Sequence, residues 1–391
     1  MSEVATNVRY RWRMSAEARA LTLLTAILVA FGLATVYSAS AITAMQVHGN
    51  SGYFVLRQVT GVIIGLLIFA IVAKVDAERW YEWAWPVMIL CFVLLLFVVL
   101  PFTTRFAPRI HGARRYLFHS SVQPSEIAKL AVIIWTSMLV VKKGPALRRL
   151  SKGLLPFVLV VGALDVLVYL EPDLSSAMFY TLMMGIILFA GGVRVGHFVV
   201  MMIVGIPILY TRAQKLQYVM LRMSAFFDPH LAPSHIDYQS HQSLIAVGSG
   251  GLFGVGFGNG RQQYGFLPFA YDDFIGGNIG EEWGFVGLTL LILAFALYAW
   301  LGFQIARNAR TPFQRLVAVG ITSAVIISAY LHLGVVISLL PNTGLTLPFI
   351  SYGRSNLIMS LLLTGILVNI GSEREKVIGD GATNPLELAS A

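Results

Sequence analysis

The chain contains 391 residues, of which 57% are hydrophobic and 12% are charged, and its formal net charge is +9. Soluble domains usually carry about 25% charged residues, so the composition excludes an ordinary soluble globular protein. Because a helix needs about 20 apolar residues to cross a hydrocarbon core about 30 Å thick, the sequence predicts a polytopic membrane protein.

Ten mostly apolar segments have the length of membrane-spanning helices. They lie at about residues 20–42, 53–73, 83–101, 124–141, 153–170, 174–192, 195–210, 281–302, 315–340 and 353–370. We therefore predict an all-α bundle of about ten transmembrane helices, which forms a single domain over residues 20–372. The predicted tails are residues 1–19 and 373–391. The Gly61-x-x-x-Gly65 spacing predicts a close helix contact, within the bundle rather than with a partner.

Basic residues accumulate in every second connection. Loops rich in Lys and Arg stay on the cytoplasmic side of a membrane. The N-terminal tail and the connection after the fourth segment are the most basic of these regions, with Arg9, Arg11, Arg13, Arg19, Lys142, Lys143, Arg148, Arg149 and Lys152. Both termini are therefore predicted to be cytoplasmic. The charge excess indicates membrane topology and does not indicate nucleic-acid binding.

Two connections on the predicted outer side depart from this pattern. Residues 102–123 contain Arg105, Arg109, Arg114 and Arg115, which the positive-inside rule does not place outside. The stretch 211–280 is predicted to be a long extracytoplasmic loop between the seventh and eighth segments, far longer than a structural turn requires. Because binding and catalytic residues concentrate on such loops, we expect the functional site on this side.

Three charged residues lie within predicted helices: Arg57, Lys129 and Asp165. Lys129 and Asp165 are each about 9 Å below the predicted outer ends of their helices, at 1.5 Å per residue. We therefore predict that they form a pair, and Glu126 lies one turn before Lys129 on the same face. Such a pair either has a structural role or forms the floor of a cavity for an anionic head group. Arg57 is close enough to the outer end to reach the interface.

Short polar motifs follow one another at the predicted outer ends of the helices. They are His111-Gly-Ala-Arg-Arg-Tyr116, Gln123-Pro-Ser-Glu-Ile-Ala-Lys129, Glu171-Pro-Asp-Leu174, Tyr238-Gln-Ser-His-Gln-Ser-Leu-Ile-Ala-Val-Gly-Ser-Gly-Gly251, Leu267-Pro-Phe-Ala-Tyr-Asp-Asp-Phe274, Ile279-Gly-Glu-Glu282 and Leu340-Pro-Asn-Thr-Gly-Leu-Thr-Leu-Pro-Phe-Ile-Ser-Tyr-Gly-Arg-Ser355. Any one of these motifs is weakly specific. Their order on a frame of ten helices is much more specific.

This ordered set resembles the shape, elongation, division and sporulation (SEDS) family of bacterial membrane glycosyltransferases over about residues 20–372. The motifs look more similar to the division-type branch than to the elongation-type branch. The resemblance implies a protein of the bacterial cytoplasmic (inner) membrane that polymerises the lipid-linked disaccharide lipid II into peptidoglycan strands and releases undecaprenyl diphosphate. It also implies contact with membrane lipids and a partner, a single-span class B penicillin-binding protein, that cross-links the strands.

The implied reaction needs a carboxylate that takes the proton of a sugar hydroxyl, and positive charge that stabilises the departing diphosphate. In the family, the essential carboxylate is the Asp before Phe in a Leu-Pro-Glu-Ala-His-Thr-Asp-Phe stretch, which aligns with Asp273. Asp273 is also the predicted ligand of a divalent cation, Mg²⁺ or Mn²⁺, because Mg²⁺ uses one or two carboxylates together with substrate phosphates. The predicted substrate-binding residues are Arg114, Arg115, Gln123, Ser125, Glu126, Lys129, Glu171, Asp173, Arg222, Gln239, Gln242, Ser243 and Glu281.

The chain departs from the family pattern around this predicted site. The run Phe269-Ala-Tyr-Asp-Asp273 replaces Glu-Ala-His-Thr-Asp, so a Glu and a His are absent and Asp272 is an additional acid, predicted to be an auxiliary. Gly276-Gly-Asn278 replaces an apolar run, and Arg354 alters the usual Tyr-Gly-Gly-Ser-Ser. These changes are compatible with an altered base or metal environment, with a lineage-specific variant or with reduced activity.

Two other functions fit the same cationic cavity. A transporter that flips the lipid-linked precursor needs an inward-open state and no general base; internal repeats would favour it, and no convincing repeat is present. A scaffold that recruits cell-wall synthases would tolerate the loss of Asp273. The run Gly254-Val-Gly-Phe-Gly-Asn-Gly260 is not a nucleotide-binding Gly-x-Gly-x-x-Gly, because its glycines occupy every second position. We predict re-entrant backbone there.

Overall fold

Helices make up most of the structure. The computed structural model describes residues 8–100, 103, 114–117, 122–227 and 234–378. Their α-helices are α1 (Ala16–His48), α2 (Tyr53–Val72), α3 (Arg79–Val99), α4 (Pro124–Lys143), α5 (Leu155–Leu170), α6 (Leu174–Ala190), α7 (Val195–Ala213), α8 (Gln217–Phe227), α9 (Ser234–Ser249), α10 (Ile275–Arg307), α11 (Pro312–Val336) and α12 (Arg354–Ile370). The all-α prediction is therefore confirmed.

The apolar helices coincide with the predicted segments. Seven helices in the described ranges are long and apolar enough to cross a membrane, and three shorter apolar helices of 10–17 residues are α5, α6 and α12. Together they match the ten predicted segments in order. The chain is thus a multi-pass membrane protein, and the number of helices that cross the membrane stays a prediction.

The two tails pair with each other, which the sequence does not predict. Strand β1 (Val8–Met14) and strand β2 (Ser372–Ile378) form an antiparallel two-stranded sheet. The Ser15 N–H also donates to the Gly371 carbonyl at 3.1 Å, directly before α1 and directly after α12. Both ends of the described chain therefore lie at the same end of the bundle, as an even number of crossings requires. The membrane side of this end and the domain bounds at residues 20 and 372 stay predictions.

Helix α4 is enclosed by the bundle, whereas α7 lies at its periphery. Most side chains of α4 are buried, including the charged Glu126 and Lys129. No residue of α7 is buried. Because a charge removed from water needs an internal partner, the charged residues of α4 are expected to bind neighbours within the bundle.

Helices α2 and α12 are in close contact through glycines. A Cβ at Gly65 would lie 2.5 Å from Leu361 Cδ1, and a Cβ at Gly61 would lie 3.2 Å from Arg354 Cγ. Side chains larger than hydrogen at these positions would therefore push α12 away. The Gly61-x-x-x-Gly65 spacing serves packing within the bundle, as predicted.

Helix α10 is broken at Gly284, where φ is 65° and ψ is −161°. In a continuous helix the carbonyls of residues 281 and 282 would accept from the N–H groups of residues 285 and 286. The glycine-rich segment (residues 250–260) supplies the missing partners instead. The four bonds join Phe285 N–H to Gly251 O (2.8 Å), Val286 N–H to Leu252 O (3.0 Å), Val255 N–H to Glu281 O (3.0 Å) and Gly256 N–H to Glu282 O (3.1 Å).

This backbone pairing explains why the segment is rich in glycine. A Cβ at Gly254 would lie 2.1 Å from the Glu282 carbonyl oxygen, and a Cβ at Gly250 would lie 2.0 Å from the Gly280 carbonyl oxygen. Backbone can approach backbone this closely only where no side chain intervenes. Gly250 and Gly254 therefore serve backbone packing at the break in α10.

The predicted long loop over residues 211–280 contains regular structure. Helix α7 extends to Ala213, α8 and α9 follow, and α10 already begins at Ile275. The long connection predicted over this stretch therefore contains helices, and its extracytoplasmic position stays a prediction. Helices α8 and α9 contain many polar residues, so a search for long apolar segments does not detect them.

Replacing Gly254 by alanine is expected to lower the melting temperature of the protein. The new Cβ would meet the Glu282 carbonyl, and φ at Gly254 is +81°, a left-handed conformation that costs other residues about 1–2 kcal/mol. Gly248→Ala in α9 is the control, because nothing lies within 4 Å of a Cβ there. Thermal unfolding in detergent measures both, and equal melting temperatures would contradict the packing role of Gly254.

Candidate active site

Lys129 forms its ion pair within α4. Its ammonium lies 2.7 Å from Glu126 Oε1, and each of the two side chains is 9% exposed. Lys129 Nζ also lies 5.3 Å from the centre of the Phe179 ring on α6, within the range of a cation–π interaction. Both groups hold the ammonium in place near the N-terminal end of α4.

The predicted pair between Lys129 and Asp165 is therefore wrong. Asp165 Oδ2 accepts a hydrogen bond from Thr181 Oγ1 of α6 at 2.7 Å. Equal depth on consecutive helices does not determine the direction of two side chains. Glu126 is a neighbour of Lys129 on the same helix face, whereas the Asp165 side of α5 faces α6.

Arg114 and Arg115 bind backbone carbonyls at the ends of neighbouring helices. Arg115 Nε donates to the Glu171 carbonyl at 3.2 Å, and the same guanidinium donates to the Pro172 carbonyl. Arg114 Nη1 donates to the Leu100 carbonyl at 3.4 Å. The connection that contains the unexpected arginines is thereby fixed to the end of α3 and to the turn between α5 and α6.

Two more predicted residues, Asp173 and Ser125, have internal partners. Asp173 caps α6, because its carboxylate accepts from the Ser176 N–H at 3.2 Å and from Ser176 Oγ at 2.9 Å. The Tyr180 hydroxyl donates to the Ser125 carbonyl at 2.6 Å. Ser125 Oγ is buried and has no hydrogen-bond partner among the described residues.

Glu171 is a buried carboxyl group whose oxygens have no partner. The residue is 2% exposed, and neither Oε1 nor Oε2 has a hydrogen-bond partner in the part of the chain that the structure describes. Burial and the charge of Asp173 raise the pKa of Glu171 to about 9, while Arg115 opposes the rise. Glu171 is therefore an uncharged carboxylic acid at neutral pH.

Asp272 and Asp273 lie in a tight turn directly before α10. The N–H groups of Asp272 and Phe274 both donate to the Phe269 carbonyl, at 3.0 and 3.2 Å, and φ at Phe269 is 56°. Burial raises the pKa of Asp272, and the charge of Asp273 raises it further. Asp272 Oδ1 is buried without a partner among the described residues. Asp272 therefore keeps its proton to a higher pH than an exposed aspartate does.

Tyr116 connects the motifs in space. Burial raises the pKa of Tyr116, the charges of Asp272, Asp273 and Glu126 raise it further, and Arg115 lowers it. These electrostatic interactions place the Tyr116 side chain among residues of the 102–123 connection, of α4 and of the turn before α10. Motifs that are separated by more than 100 residues in the sequence thus converge on one site.

Arg222 approaches the same turn from α8. Its Nη1 and Asp273 Oδ2 both lie 3.9 Å from the position that a Cβ on Gly344 would occupy. Arg222 Nη1 also donates to the Asn342 carbonyl at 3.2 Å, and Asn342 Nδ2 donates to Gln239 Oε1 at 3.3 Å. The predicted residues Arg222, Gln239 and Asp273 are therefore gathered around the backbone of residues 342–344.

His332 fixes this backbone to the start of α10. His332 Nε2 accepts from the Gly276 N–H at 3.3 Å, and Nδ1 lies 2.9 Å from the Leu345 carbonyl. Because Nε2 accepts, the hydrogen of a neutral imidazole is on Nδ1 and is donated to Leu345. The distance between the Asp273 turn and the residues around Gly344 is thus set by one buried side chain of α11.

Other predicted substrate-binding residues bind backbone groups. Ser243 Oγ donates to the Val336 carbonyl at 2.8 Å. Both carboxylate oxygens of Glu281 accept from the backbone, from Arg261 N–H at 2.8 Å and Gln262 N–H at 3.1 Å. The polar atoms of Ser243 and Glu281 thus bind backbone groups within the protein, and their predicted substrate-binding roles stay predictions.

The last two predicted residues are glutamines at helix positions near the site. The Gln123 N–H donates to Ser355 Oγ at 3.0 Å, directly before α4. Gln242 is half-buried on α9, one turn after Gln239 and therefore on the same helix face. The predicted role of Gln242 stays a prediction, while the backbone of Gln123 connects α4 to α12.

Gln58 of α2 is an important residue that the sequence analysis misses. It is 1% exposed, its Nε2 donates to the Ser351 carbonyl and its Oε1 accepts from the Gly353 N–H, both at 3.1 Å. Ser351 Oγ donates in turn to the Asp272 carbonyl at 2.9 Å. A glutamine within an apolar segment is the signal that could have identified it.

An aromatic cluster lies beside Asp272. The Tyr271 ring stacks on Phe54 with centroids 4.6 Å apart, and Tyr352 contacts both rings edge-on at 5.2 and 5.7 Å. The Tyr352 N–H also donates to the Tyr271 carbonyl at 2.9 Å. Tyr271, which stands where the resembling family has a histidine, therefore packs against α2 and the start of α12.

A protein-family model described as "Cell cycle protein", which represents FtsW, RodA and SpoVE, matches residues 18–376. The chain belongs to the FtsW/RodA/SpoVE family. This membership confirms the resemblance that the ordered motifs indicate, and the match covers all twelve helices of the described structure.

Relatives within the family match over nearly their full length. The probable peptidoglycan glycosyltransferase FtsW of Geobacter metallireducens is 34% identical over 354 residues, which cover 90% of this chain and 94% of the relative. Stage V sporulation protein E of Bacillus subtilis is 35% identical over 355 residues, which cover 90% and 95%. The names of these relatives include a probable peptidoglycan glycosyltransferase and a sporulation protein.

Solved structures of family members have the same fold. One chain of a peptidoglycan synthase complex that coordinates polymerisation and crosslinking superimposes with a TM-score of 0.75 and 24% identity, covering 90% of this chain and 97% of that chain. RodA of Thermus thermophilus superimposes with a TM-score of 0.62 and 22% identity, covering 94% and 97%. The helical arrangement described above is therefore the fold of this family.

The divalent cation predicted from the sequence would meet two carboxyl groups that are adjacent in sequence, those of Asp272 and Asp273. Within the described ranges, no group of three or more His, Cys, Asp and Glu side chains could hold a metal ion. Asp272 Oδ1 lacks a partner there, and Asp273 is its neighbour in sequence. One or two carboxylates together with substrate phosphates suffice for Mg²⁺, so this donor set fits a cation that arrives with a diphosphate.

Glu171→Gln is expected to reduce the pH dependence of stability. Folding raises the pKa of Glu171 from 4.5 to about 9, so between these values the folded state binds more protons than the unfolded state. The free energy of unfolding therefore falls as pH rises across this window. The melting temperature of Glu171→Gln should fall less than that of the wild type between about pH 5 and about pH 9.

The matched control is Glu82→Gln, which changes an exposed glutamate of α3. Its melting temperature should follow the wild-type pH profile. Parallel profiles for Glu171→Gln and the wild type would show that the Glu171 carboxyl is not held uncharged in the folded protein.

Proposed function

We propose that this protein is a peptidoglycan glycosyltransferase that polymerises lipid II at the outer face of the bacterial cytoplasmic membrane. In this proposal it serves cell division, both termini are cytoplasmic, and undecaprenyl diphosphate is released. The observation that carries the proposal is the convergence of Asp272, Asp273, Arg115 and Glu126 around Tyr116. Carboxylates and cations together at one outer site are what the transfer of a sugar from a lipid diphosphate requires.

Asp273 is the general base of the proposed reaction. It removes the proton from a hydroxyl of the acceptor sugar, whose oxygen forms a bond to the anomeric carbon of the donor sugar. The bond between that carbon and the diphosphate oxygen breaks, and its electron pair leaves with the lipid diphosphate. The proton then resides on Asp273 and is returned to solvent.

Asp272 and Asp273 have different roles because their surroundings differ. Burial and the charge of Asp273 raise the pKa of Asp272, which favours the protonated form of Asp272 and leaves Asp273 as the proposed base. Two adjacent carboxyl groups in one site rarely ionise together. The ionised member, Asp273, also faces the Gly344 backbone that Arg222 approaches, which suits a group that receives a proton.

The leaving diphosphate is stabilised by the cations of the site. Arg115 and Arg222 can present two parallel N–H donors to phosphate oxygens, whereas Lys129 acts as a point charge. Lys129 is partly neutralised by Glu126 at 2.7 Å, so the two arginines supply most of the positive charge. A divalent cation on Asp273, with Asp272 beside it, would add charge that neutralises the diphosphate when it is bound.

The proposed partner is a single-span class B penicillin-binding protein that cross-links the new strands. The likeness to one chain of a solved peptidoglycan synthase complex supports an assembly of this kind. The names of the relatives support a role in division or sporulation, and the motif forms of this chain favour division.

Gln58 is proposed to position the base. Its amide holds Ser351 and Gly353, and Ser351 holds the Asp272 carbonyl, directly before Asp273. Because catalysis depends on placement within about 0.5 Å, a loss of this support affects turnover more than substrate binding.

Asp273→Asn is expected to lower glycan polymerisation by about 100-fold or more, the usual contribution of a general base. The assay supplies lipid II, Mg²⁺ and the partner to the purified protein and separates the glycan products on a gel. Glu82→Gln is the control, because it neutralises an exposed carboxylate on α3. Asp272→Asn tests the auxiliary role and is expected to have a smaller effect.

Two outcomes would contradict the enzyme proposal. One is that the wild type with its partner makes no glycan, while Asp272→Ala and Asp273→Ala variants support growth; this outcome favours a scaffold. The other is that lipid II crosses the bilayer of proteoliposomes at equal rates with wild type and Asp273→Asn and is never polymerised; this outcome favours a transporter.

Gln58→Leu is expected to lower kcat by about tenfold while KM for lipid II changes by less than about twofold, since each lost hydrogen bond to a positioned group is worth about 1 kcal/mol. Gln58→Glu regains the missing donor only when its carboxyl is protonated. Its activity relative to wild type should therefore rise as pH falls, which simple space filling does not predict. Wild-type activity in Gln58→Leu would exclude the positioning role.

A further inference from the structure

A second pair of cations lies beside the site, on α2 and at the start of α12. Arg354 packs on α2, because its Cγ is 3.2 Å from the position of a Cβ on Gly61. Arg57 lies one helical turn before Gly61 and therefore on the same face of α2. Neither arginine belongs to the cations assigned to the departing diphosphate.

The two cation groups lie on different sides of the α12 N-terminus. Arg354 is next to α2, whereas the neighbouring Ser355 accepts from the Gln123 N–H directly before α4. The group of Arg115 and Lys129 is therefore on the α4 side, and the Arg57–Arg354 pair is on the α2 side. The Asp272–Asp273 turn is adjacent to both.

Tyr352 connects the Arg57–Arg354 pair to the turn. The Tyr352 N–H donates to the Tyr271 carbonyl at 2.9 Å. Burial raises the pKa of Tyr352, the positive charges of Arg57 and Arg354 lower it, and Asp272 raises it. Tyr352 thus lies within electrostatic range of Arg57, Arg354 and Asp272. In the same way, Tyr116 lies within range of Arg115, Glu126 and the two aspartates.

The guanidinium of Arg57 is held in a defined place without a carboxylate. Arg57 Nη1 donates to the Tyr53 hydroxyl at 3.1 Å, and its Cζ lies 5.6 Å from the centre of the Tyr53 ring. No carboxylate among the described residues forms a salt bridge with Arg57. An aromatic contact of this kind orients a guanidinium and leaves donors for an anion.

The proposed reaction requires a second place for a phosphate-bearing lipid. Two lipid-linked reactants meet, and each carries a diphosphate. Placing both on one group of cations would bring like charges into contact. The departing diphosphate needs the cations that face the reacting carbon, so the diphosphate of the acceptor, which does not leave, needs a separate location.

We infer that Arg57 and Arg354 form an anion subsite for the diphosphate of the acceptor lipid, on the α2 side of the Asp272–Asp273 turn. This inference rests on the proposed function, because only a reaction between two lipid-linked sugars needs the second subsite. The chemistry recognised is a phosphate on a membrane lipid. Such a phosphate can come from the acceptor substrate or from an ordinary anionic phospholipid, and the proposed occupant is the substrate.

The test counts bound diphosphates. Equilibrium binding of radiolabelled geranylgeranyl diphosphate to the purified protein in neutral detergent should saturate at two per protein for wild type. The double variant Arg57→Gln/Arg354→Gln should saturate at one. The control Arg148→Gln/Arg149→Gln removes the same charge from the predicted cytoplasmic side and should still bind two.

Kinetics provide a second readout. Arg57→Gln/Arg354→Gln should raise KM for lipid II by about tenfold, equivalent to about 1.4 kcal/mol, with kcat within about twofold. The charge-conserving variant Arg57→Lys/Arg354→Lys should recover part of this loss, because lysine keeps the charge without the two-pronged geometry. Two bound diphosphates and an unchanged KM in the glutamine variant would overturn the inference.

Phosphatidylglycerol distinguishes the two lipid sources. If it displaces the second geranylgeranyl diphosphate at equal concentration, and the glutamine variant has a normal KM in phosphatidylcholine, the pair binds phospholipid and the inference is wrong. Asp273→Asn separates this inference from the proposed function. That variant should bind two diphosphates without polymerising, and continued polymerisation would refute the role of Asp273 while leaving the binding count unaffected.

Discussion

The break of α10 at Gly284 determines how the half of the molecule that contains the candidate site is built. A backbone that leaves the helix within an apolar bundle must find new partners for its N–H and carbonyl groups, because an unpaired group there costs several kcal/mol. The glycine-rich segment provides them at 2.8–3.1 Å. This pairing fixes the first part of α10, and with it the turn that carries Asp272 and Asp273. The catalytic geometry therefore depends on backbone pairing that only glycine permits.

The ionisable groups of the site differ in whether they carry an effective charge. Lys129 is neutralised by Glu126, and Glu171 and Asp272 are kept uncharged by burial. The charges that remain include Asp173, which caps α6, and also Asp273 and the arginines, which are the groups that the proposed transfer from a lipid diphosphate uses. Burial thus distinguishes the proposed base, Asp273, from several acids that the fold brings close together.

The outcome for individual residues shows what sequence patterns can reveal. The helical segments, the motif order and the gathering of Arg115, Arg222 and Asp273 follow from hydropathy and from resemblance. The predicted pair between Lys129 and Asp165 was wrong because the depth of a residue fixes its height along the helix axis. It does not fix the direction in which the side chain points around that axis. Ser243 and Glu281 bind backbone that lies far from them in sequence. Gln58 was missed because its partners, Ser351 and Gly353, lie nearly 300 residues away.

The sequence by itself determined the membrane class, the succession of helices and the family, since these depend on local hydropathy and on ordered motifs. Only the tertiary structure decided which acid pairs with Lys129, which carboxyl stays uncharged and which backbone satisfies the break in α10. The reason is physical: hydropathy is a property of each segment alone, whereas ion pairing, burial and hydrogen bonding depend on neighbours that packing brings together. The excess of positive charge illustrates the difference. The sequence determines the sign and the number of these charges. The fold determines which basic residues lie at the candidate site and which only indicate membrane topology.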